Sequence, residues 1–253
     1  MTAPIDLPPG TAGPGPGAPR RRSAAASLPW TVVLPVKGGA AAKSRLGGPP
    51  ELAVAIVRDC LDAVTACPDV ARVIVVTSDP AMAGQARTAT AEVVSERRPG
   101  AGLVEAVRDG VRAAGDRPGP VAVLLPDVPA ARAEDLTRAL QAVSTALATH
   151  PAVPMAVVPD ADRTGTVLLA ARTADALDPA FGPGSAAEHV RRGAVRLDLD
   201  LPRLRRDVDT PDDLLAVLRL GVGARTARAA AAHPALDPPF DPACDPAGLD
   251  ATG

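Results

Sequence analysis

Three short stretches of nearly uninterrupted apolar residues, at 31–36, 72–77 and 121–125, constrain this chain more than any other feature. A strand with one face in water alternates apolar and polar residues. A strand without alternation must be covered on both faces, as in the centre of a parallel sheet. The covering layers are legible as well. Between 51 and 66, Leu52, Ala55, Ile56, Asp59, Cys60 and Ala63 recur at three- and four-residue steps with polar Arg58 and Asp62 interleaved, which predicts an amphipathic helix. Similar periodicity predicts helices over 103–114 and 133–147. The order then reads βαβαβα, the pattern of an α/β fold with a doubly wound, mixed but mainly parallel sheet. Further strands are expected at 152–158 and 166–171. The last helix is expected to open at Thr210-Pro211-Asp212-Asp213, with a capping threonine, proline in the first helical position and an acid in the third.

A chain of 253 residues, 47% of them hydrophobic, can bury one large core or two small ones. The folded domain is expected over 29–229. A Pro/Gly/Ala-rich leader (1–28) and a Pro-rich tail (230–253) have the composition of disordered segments. Arg20-Arg21-Arg22 superficially suggests a secretion signal, but no apolar h-region follows it. With 27 basic and 29 acidic residues the net charge is −2, so neither nucleic acid nor a membrane surface is implied as a partner. Trp30, Phe181 and Phe240 are the only aromatic residues, which argues against recognition by base stacking. No apolar stretch approaches the roughly 20 residues that span a bilayer. Cys60, Cys67 and Cys244, like His150, His189 and His233, are scattered without zinc-type spacing. This predicts a reduced, cytoplasmic protein with structural thiols.

In open α/β sheets ligands collect beyond the carboxyl ends of the strands, and polar residues at those positions are the ones to inspect. The first strand runs into Lys37-Gly38-Gly39-Ala40-Ala41-Ala42-Lys43-Ser44-Arg45-Leu46. Its backbone N–H groups with Lys37, Lys43 and Arg45 can wrap a triphosphate. Ala42 replaces the glycine that a Walker A loop needs before Lys-Ser. Read in isolation the loop is more often a solvated basic turn, and its place after the first strand is what marks it. The third strong strand ends in Leu125-Pro126-Asp127-Val128-Pro129, where Asp127 can either cap a turn or hold a divalent cation. Asp207 and Asp209, two residues apart in an extended segment, face one side, and Asp209 also adjoins the helix cap. Magnesium on phosphates normally takes one or two carboxylates, with water and substrate oxygens completing its shell. Thr166, Gly182 and Ser185 lie in loops whose hydroxyls and backbone amides suit a small phosphorylated carboxylate, although each loop alone would pass for an ordinary turn.

Taken together, these segments resemble the 2-phospho-L-lactate and phosphoenolpyruvate guanylyltransferases that make the activated precursor of the deazaflavin coenzyme F-420. The resemblance runs from about Trp30 to Ala227. It rests on Val36-Lys37 with Ala42-Lys43-Ser44-Arg45-Leu46, Asp127-Val128-Pro129, Gly165-Thr166, Phe181-Gly182-Pro183, Gly193-Ala194-Val195 and Asp207-Val208-Asp209-Thr210-Pro211. Two departures are visible. Pro126-Asp127-Val128-Pro129 replaces the family's usual Gly-Asp-Leu-Pro but keeps the acid, and Val104 stands where the family usually has asparagine near the nucleotide. The resemblance implies a GT-A-like nucleotidyltransferase fold and magnesium held by Asp127 and Asp209. It also implies a nucleotide-phosphate loop of Lys37, Lys43 and Arg45, with Lys43 joining the two acids in catalysis. Thr166, Gly182 and Ser185 would bind the acceptor.

The implied substrates are GTP and a small phosphorylated carboxylic acid, with a downstream transferase of the same pathway as a protein partner. An acceptor phosphate oxygen would attack the α-phosphorus and expel pyrophosphate. That oxygen is already anionic at neutral pH, so no general base is called for. The same architecture also serves sugar-phosphate and molybdopterin-type acceptors. A non-catalytic nucleotide-binding regulator is the alternative from another class, and retention of both Asp127 and Asp209 argues against it.

Overall fold

The computed structural model describes residues 28–37, 46 and 49–233. Lys43 and Arg45, the leader up to residue 27 and the tail from residue 234 lie outside the described residues. In chain order the elements are β1 Trp30–Pro35, α1 Pro50–Thr65, β2 Val70–Val76, α2 Pro80–Thr88, β3 Glu92–Val94, α3 Leu103–Ala114, β4 Val121–Leu124 and α4 Ala133–Thr149. They continue with β5 Met155–Pro159, β6 Thr166–Ala171, a 3₁₀ turn at Ala174–Ala176, α5 Ser185–Arg191, β7 Ala194–Arg196, α6 Pro202–Arg205, α7 Pro211–Leu220 and α8 Ala224–Ala230.

Among the described residues seven strands form one sheet in the order β3-β2-β1-β4-β6-β5-β7. Neighbouring strands pair in parallel except β6, which runs antiparallel to both β4 and β5. The uninterrupted apolar runs fall on β2, β1 and β4, the adjacent strands in which both faces are covered. Val33, Ile74, Val76, Val121 and Val123 pack with the α3 residues Val107 and Val111 on one face. Val32, Leu34, Val75, Ala122 and Leu124 pack on the other face with Leu61, Met82 and Leu136 of α1, α2 and α4. The doubly wound arrangement follows from strands that have no polar face to leave in water.

Three expectations change. The run at 121–125 is the fourth strand, because α2 and β3 intervene between β2 and α3. β3 is only three residues long, with an exposed glutamate first, so it offers no apolar run. α2 is opened by Asp79, whose Oδ1 accepts from the N–H groups of Ala81 (2.8 Å) and Met82 (3.2 Å), with Pro80 in the first turn. The helix opening at Thr210 has the expected reciprocal cap, with Asp213 N–H donating to Thr210 Oγ1 and Thr210 N–H to Asp213 Oδ2, but it is not the last. α8 follows it. Asp59, which the periodicity places on the apolar face of α1, accepts from Thr226 N–H at 2.7 Å and so caps α8. Leu46, Leu52, Ile56, Val208, Leu214, Val217 and Ala230 form a third, smaller core beneath α7 and α8. His233 Nε2 is 3.0 Å from Leu46 O and the ring is buried, so the described fold reaches residue 233, beyond the expected end of the domain. Among the described residues no helix is long and apolar enough to cross a membrane.

α3 approaches the sheet through Gly110. A Cβ there would overlap Val33 Cγ1 and lie 2.7 Å from Val76 Cγ2, both on β-branched side chains with little freedom to move. A mid-helix glycine ordinarily costs about 0.5–1 kcal/mol relative to alanine. At exposed Gly84 in α2, where an added Cβ meets nothing within 4 Å, Gly84→Ala is expected to stabilise by about that amount. Gly110→Ala is expected to destabilise by roughly 1–3 kcal/mol through overpacking. Urea unfolding of the two variants measures the predicted opposite signs.

Candidate functional site

β1, β2, β3, β4 and β5 all point their carboxyl ends toward one edge of the sheet. Because β6 is antiparallel, it presents its amino end, Thr166, at that same edge, paired with Pro159 at the end of β5. The reversal of one strand thus brings a residue from the start of β6 beside residues from the ends of its neighbours.

Asp127 follows β4 and is half-buried between the buried Pro126 and Pro129. Its backbone carbonyl accepts from Val208 N–H at 3.0 Å, and the Val208 side chain is fully buried in the smaller core. The 207–209 segment is therefore held against the end of β4. Arg205 fixes the approach to it, donating from Nε to Pro159 O at 2.9 Å, from Nη2 to Asp160 O at 2.8 Å and from Nη1 to Leu199 O at 2.8 Å. Asp207 is half-buried while Asp209 is exposed. Burial pushes the Asp207 carboxyl up to about 7, and the nearby charges of Asp127, Asp160 and Asp209 push it in the same direction. Concentrated negative charge of this kind fits a divalent cation. Among the described residues no group of three or more His, Cys, Asp or Glu side chains is arranged to hold a metal, so a cation here would draw its remaining ligands from substrate oxygens and water.

The second part of the site is a polar network built on α5. Asp160 accepts from Thr164 N–H (3.0 Å) and Gly165 N–H (2.7 Å), closing the turn that leads into Thr166. Ala186 N–H donates to Thr164 O at 3.1 Å and ties the start of α5 to this turn. Gly182 and Gly184, at φ of 142° and 71°, take backbone conformations that side chains disfavour and so allow the sharp entry to α5. Thr166 and Ser185, 3% and 2% exposed, are joined by a hydrogen bond of 3.0 Å from Ser185 Oγ to Thr166 Oγ1. Thr166 Oγ1 is also 2.9 Å from Nδ1 of His189, a fully buried ring that packs edge-on against Phe181.

A third part is a cleft of about 600 Å³, a volume typical of small-molecule sites. It is lined by Lys37, Asp79, Glu96, Gly102 and Leu103 from the ends of β1, β2 and β3 and the start of α3. Lys37 is exposed there, and both flanks of the loop it begins are anchored. Val36 N–H donates to Val76 O at 2.8 Å, and Leu46 is 1% exposed.

The structure therefore joins Asp127 to the 207–209 segment and Thr166 to Ser185, with Gly182 just ahead of α5, while Lys37 lines the separate cleft. His189 is the residue that sequence reasoning missed. Ser185 and His189 are four apart at the start of α5 and so share a helix face, which is the signal that could have found it.

The chain is similar to known nucleotidyltransferases. The profile of the MobA-like NTP transferase domain family matches residues 44–198. The phosphoenolpyruvate guanylyltransferase of Salinispora arenicola (strain CNS-205) is 50% identical over 204 residues, covering 78% of this chain and 92% of that protein. The phosphoenolpyruvate guanylyltransferase of Streptomyces scabiei (strain 87.22) is 47% identical over 216 residues, covering 81% and 97%. A nucleotidyl transferase from Methanothermobacter thermautotroptrophicus has a similar fold, with a TM-score of 0.50 and 20% identity over 75% of this chain and 98% of that one.

The network makes stability depend on pH through His189. Burial, reinforced by the Arg192 charge and opposed by Asp178 and Glu188, pushes the imidazole down to about 4. Nε2 accepts from Ala180 N–H at 2.9 Å, and a proton on Nε2 would set two donors against each other. A folded-state pKa below the ordinary value near 6.5 gives stability that is fully present above about 6.5 and lost as pH falls toward 4. The stability difference between wild type and His189→Asn, from urea unfolding, is expected to be constant above about pH 7. Between 6.5 and 4 it should shrink by up to roughly 1.4 kcal/mol per pH unit.

Proposed function

Because the chain belongs to the family of the phosphoenolpyruvate guanylyltransferases and carries the MobA-like NTP transferase domain, we propose that it transfers GMP from GTP to the phosphate of phosphoenolpyruvate. The products are enolpyruvoyl-2-diphospho-5'-guanosine and pyrophosphate, for coenzyme F-420 biosynthesis. The names of the relatives favour phosphoenolpyruvate over 2-phospho-L-lactate as acceptor. The structural observation that carries the reading is the hydrogen bond from Val208 N–H to Asp127 O, which holds two acid-bearing segments from opposite halves of the chain together at the sheet edge.

In this reading Lys37, Lys43 and Arg45 bind the triphosphate, and their charges draw the α-phosphate toward the acid pair. Thr166, Gly182 and Ser185 hold the acceptor so that a phosphate oxygen faces the α-phosphorus. That oxygen forms the new P–O bond as the bond from the α-phosphorus to the bridging oxygen breaks, and pyrophosphate leaves with the electron pair. The nucleophile is anionic beforehand, so the protein contributes positioning and charge neutralisation rather than proton removal. Asp127 and Asp209 would hold magnesium, which supplies positive charge for the phosphates of substrate and leaving group. Cys60 and Cys67 are buried free thiols, which supports a cytoplasmic setting. The phosphoanhydride product is an activated donor suited to a downstream transferase of the same pathway.

Asp127→Ala and Asp209→Ala are each expected to lower kcat for pyrophosphate release from GTP and phosphoenolpyruvate by roughly 10²-fold or more while the fold is kept. Near-normal turnover by both variants, with magnesium present, would remove the acid pair from the site. Lys43→Ala is expected to raise the KM for GTP by about 10-fold or more, through loss of a charge-assisted contact to phosphate. The KM for phosphoenolpyruvate should move far less, and steady-state kinetics with each substrate varied in turn separates the two.

A further inference from the structure

His189 is a buried titratable group that the mechanism leaves unused, and its hydrogen bonds set the polarity of the acceptor-binding hydroxyls. A backbone N–H can only donate, so the 2.9 Å contact from Ala180 N–H makes Nε2 of His189 an acceptor. A neutral imidazole with Nε2 unprotonated carries its hydrogen on Nδ1, and Nδ1 lies 2.9 Å from Thr166 Oγ1. The ring therefore donates to Thr166. Thr166 Oγ1 is in turn bonded to Ser185 Oγ at 3.0 Å.

Counting hydrogens fixes the outcome. Three are present, on His189 Nδ1 and on the two hydroxyls. Only two bonds join the three groups, His189 to Thr166 and Thr166 to Ser185. The first bond uses the ring hydrogen and the second uses one hydroxyl hydrogen, whichever way it runs. One hydroxyl hydrogen remains. With the opposite tautomer, Nδ1 would accept, and both hydroxyl hydrogens would be consumed inside the network.

We infer that His189 is a positioning residue for the acceptor, whose neutral ring donates from Nδ1 to Thr166 and so leaves the Thr166–Ser185 pair with one hydrogen to give to an anionic oxygen of the phosphorylated acid. This rests on the reading of Thr166 and Ser185 as acceptor-binding residues. The surroundings hold the ring in place. Phe181 packs against it with centroids 5.2 Å apart, and the depressed proton affinity keeps it neutral at physiological pH.

Two measurements test the inference. In the intact protein, ¹⁵N NMR of the histidine side chains at pH 7, with His189 assigned by elimination using His150→Gln and His233→Gln, is expected to report a protonated Nδ1 and an unprotonated Nε2. A ring protonated on Nε2 overturns the inference. In steady-state kinetics Thr166→Val is expected to raise the KM for phosphoenolpyruvate by on the order of 10-fold or more. His189→Phe should do the same while the KM for GTP stays within about two-fold, and the double variant should be no worse than Thr166→Val alone, because the histidine acts through the threonine. Additive effects, or an unchanged phosphoenolpyruvate KM in His189→Phe beside a raised one in Thr166→Val, overturn the role of His189. No effect of Thr166→Val overturns the acceptor-site reading itself. If His189→Phe does not fold, the NMR result on the wild-type protein decides the question.

Discussion

The placement of the acid pair depends first on one backbone hydrogen bond, from Val208 N–H to Asp127 O. It joins the end of β4, in the first half of the chain, to the segment that leads into α7. Carboxylates held close together repel; burial is the main cause of the raised proton affinity of Asp207, and the charges of Asp127, Asp160 and Asp209 add to it. Side-chain attraction cannot hold such residues together. The backbone bond, the burial of Val208 in the smaller core and the three carbonyl contacts of Arg205 do so instead. A fold that spends stability to concentrate negative charge at a strand edge is suited to a ligand that brings positive charge with it.

The second constraint is topological. If β6 were parallel to β4, Thr166 would open at the far edge of the sheet, away from Asp127. Its reversal puts Thr166 beside the end of β5, and the turn closed by Asp160 continues into it. Gly165 leaves room for that turn, because a Cβ there would lie 2.3 Å from Asp160 Oδ2 and displace the carboxylate that closes it. α5 then brings Ser185 and His189 to the same hydroxyl from one helix face. The polar network and the acid pair thus arise from different elements but share one sheet edge.

Much of this was legible in the sequence, and the remainder was hidden for identifiable reasons. The apolar runs gave β1, β2 and β4 because strands buried on both faces have no alternative pattern, and the Thr210-Pro211-Asp212-Asp213 cap was read correctly because its chemistry is local. β3 was invisible because three residues carry no period, and α8 because it is held by Asp59 from α1, 167 positions before Thr226. For the site, Asp127, Asp207 and Asp209 could be picked out by their places at predicted strand and helix ends. Thr166 and Ser185 could be picked out singly, but their joining to each other and to His189 could not, since it depends on the direction of β6 and the docking of α5. His189 looked like one of three scattered histidines because its partners are 23 and 9 residues away along the chain.

In the proposed reaction the acceptor phosphate attacks the α-phosphorus and is retained in the product. Phosphoenolpyruvate labelled with ¹⁸O in its phosphate group, incubated with unlabelled GTP, magnesium and the wild-type protein, tests it by mass spectrometry of both products. Attack on the α-phosphorus yields a guanosine adduct that contains the whole labelled phosphoenolpyruvate unit and pyrophosphate free of label. Label in pyrophosphate, or pyrophosphate formed without a labelled guanosine adduct, would contradict it.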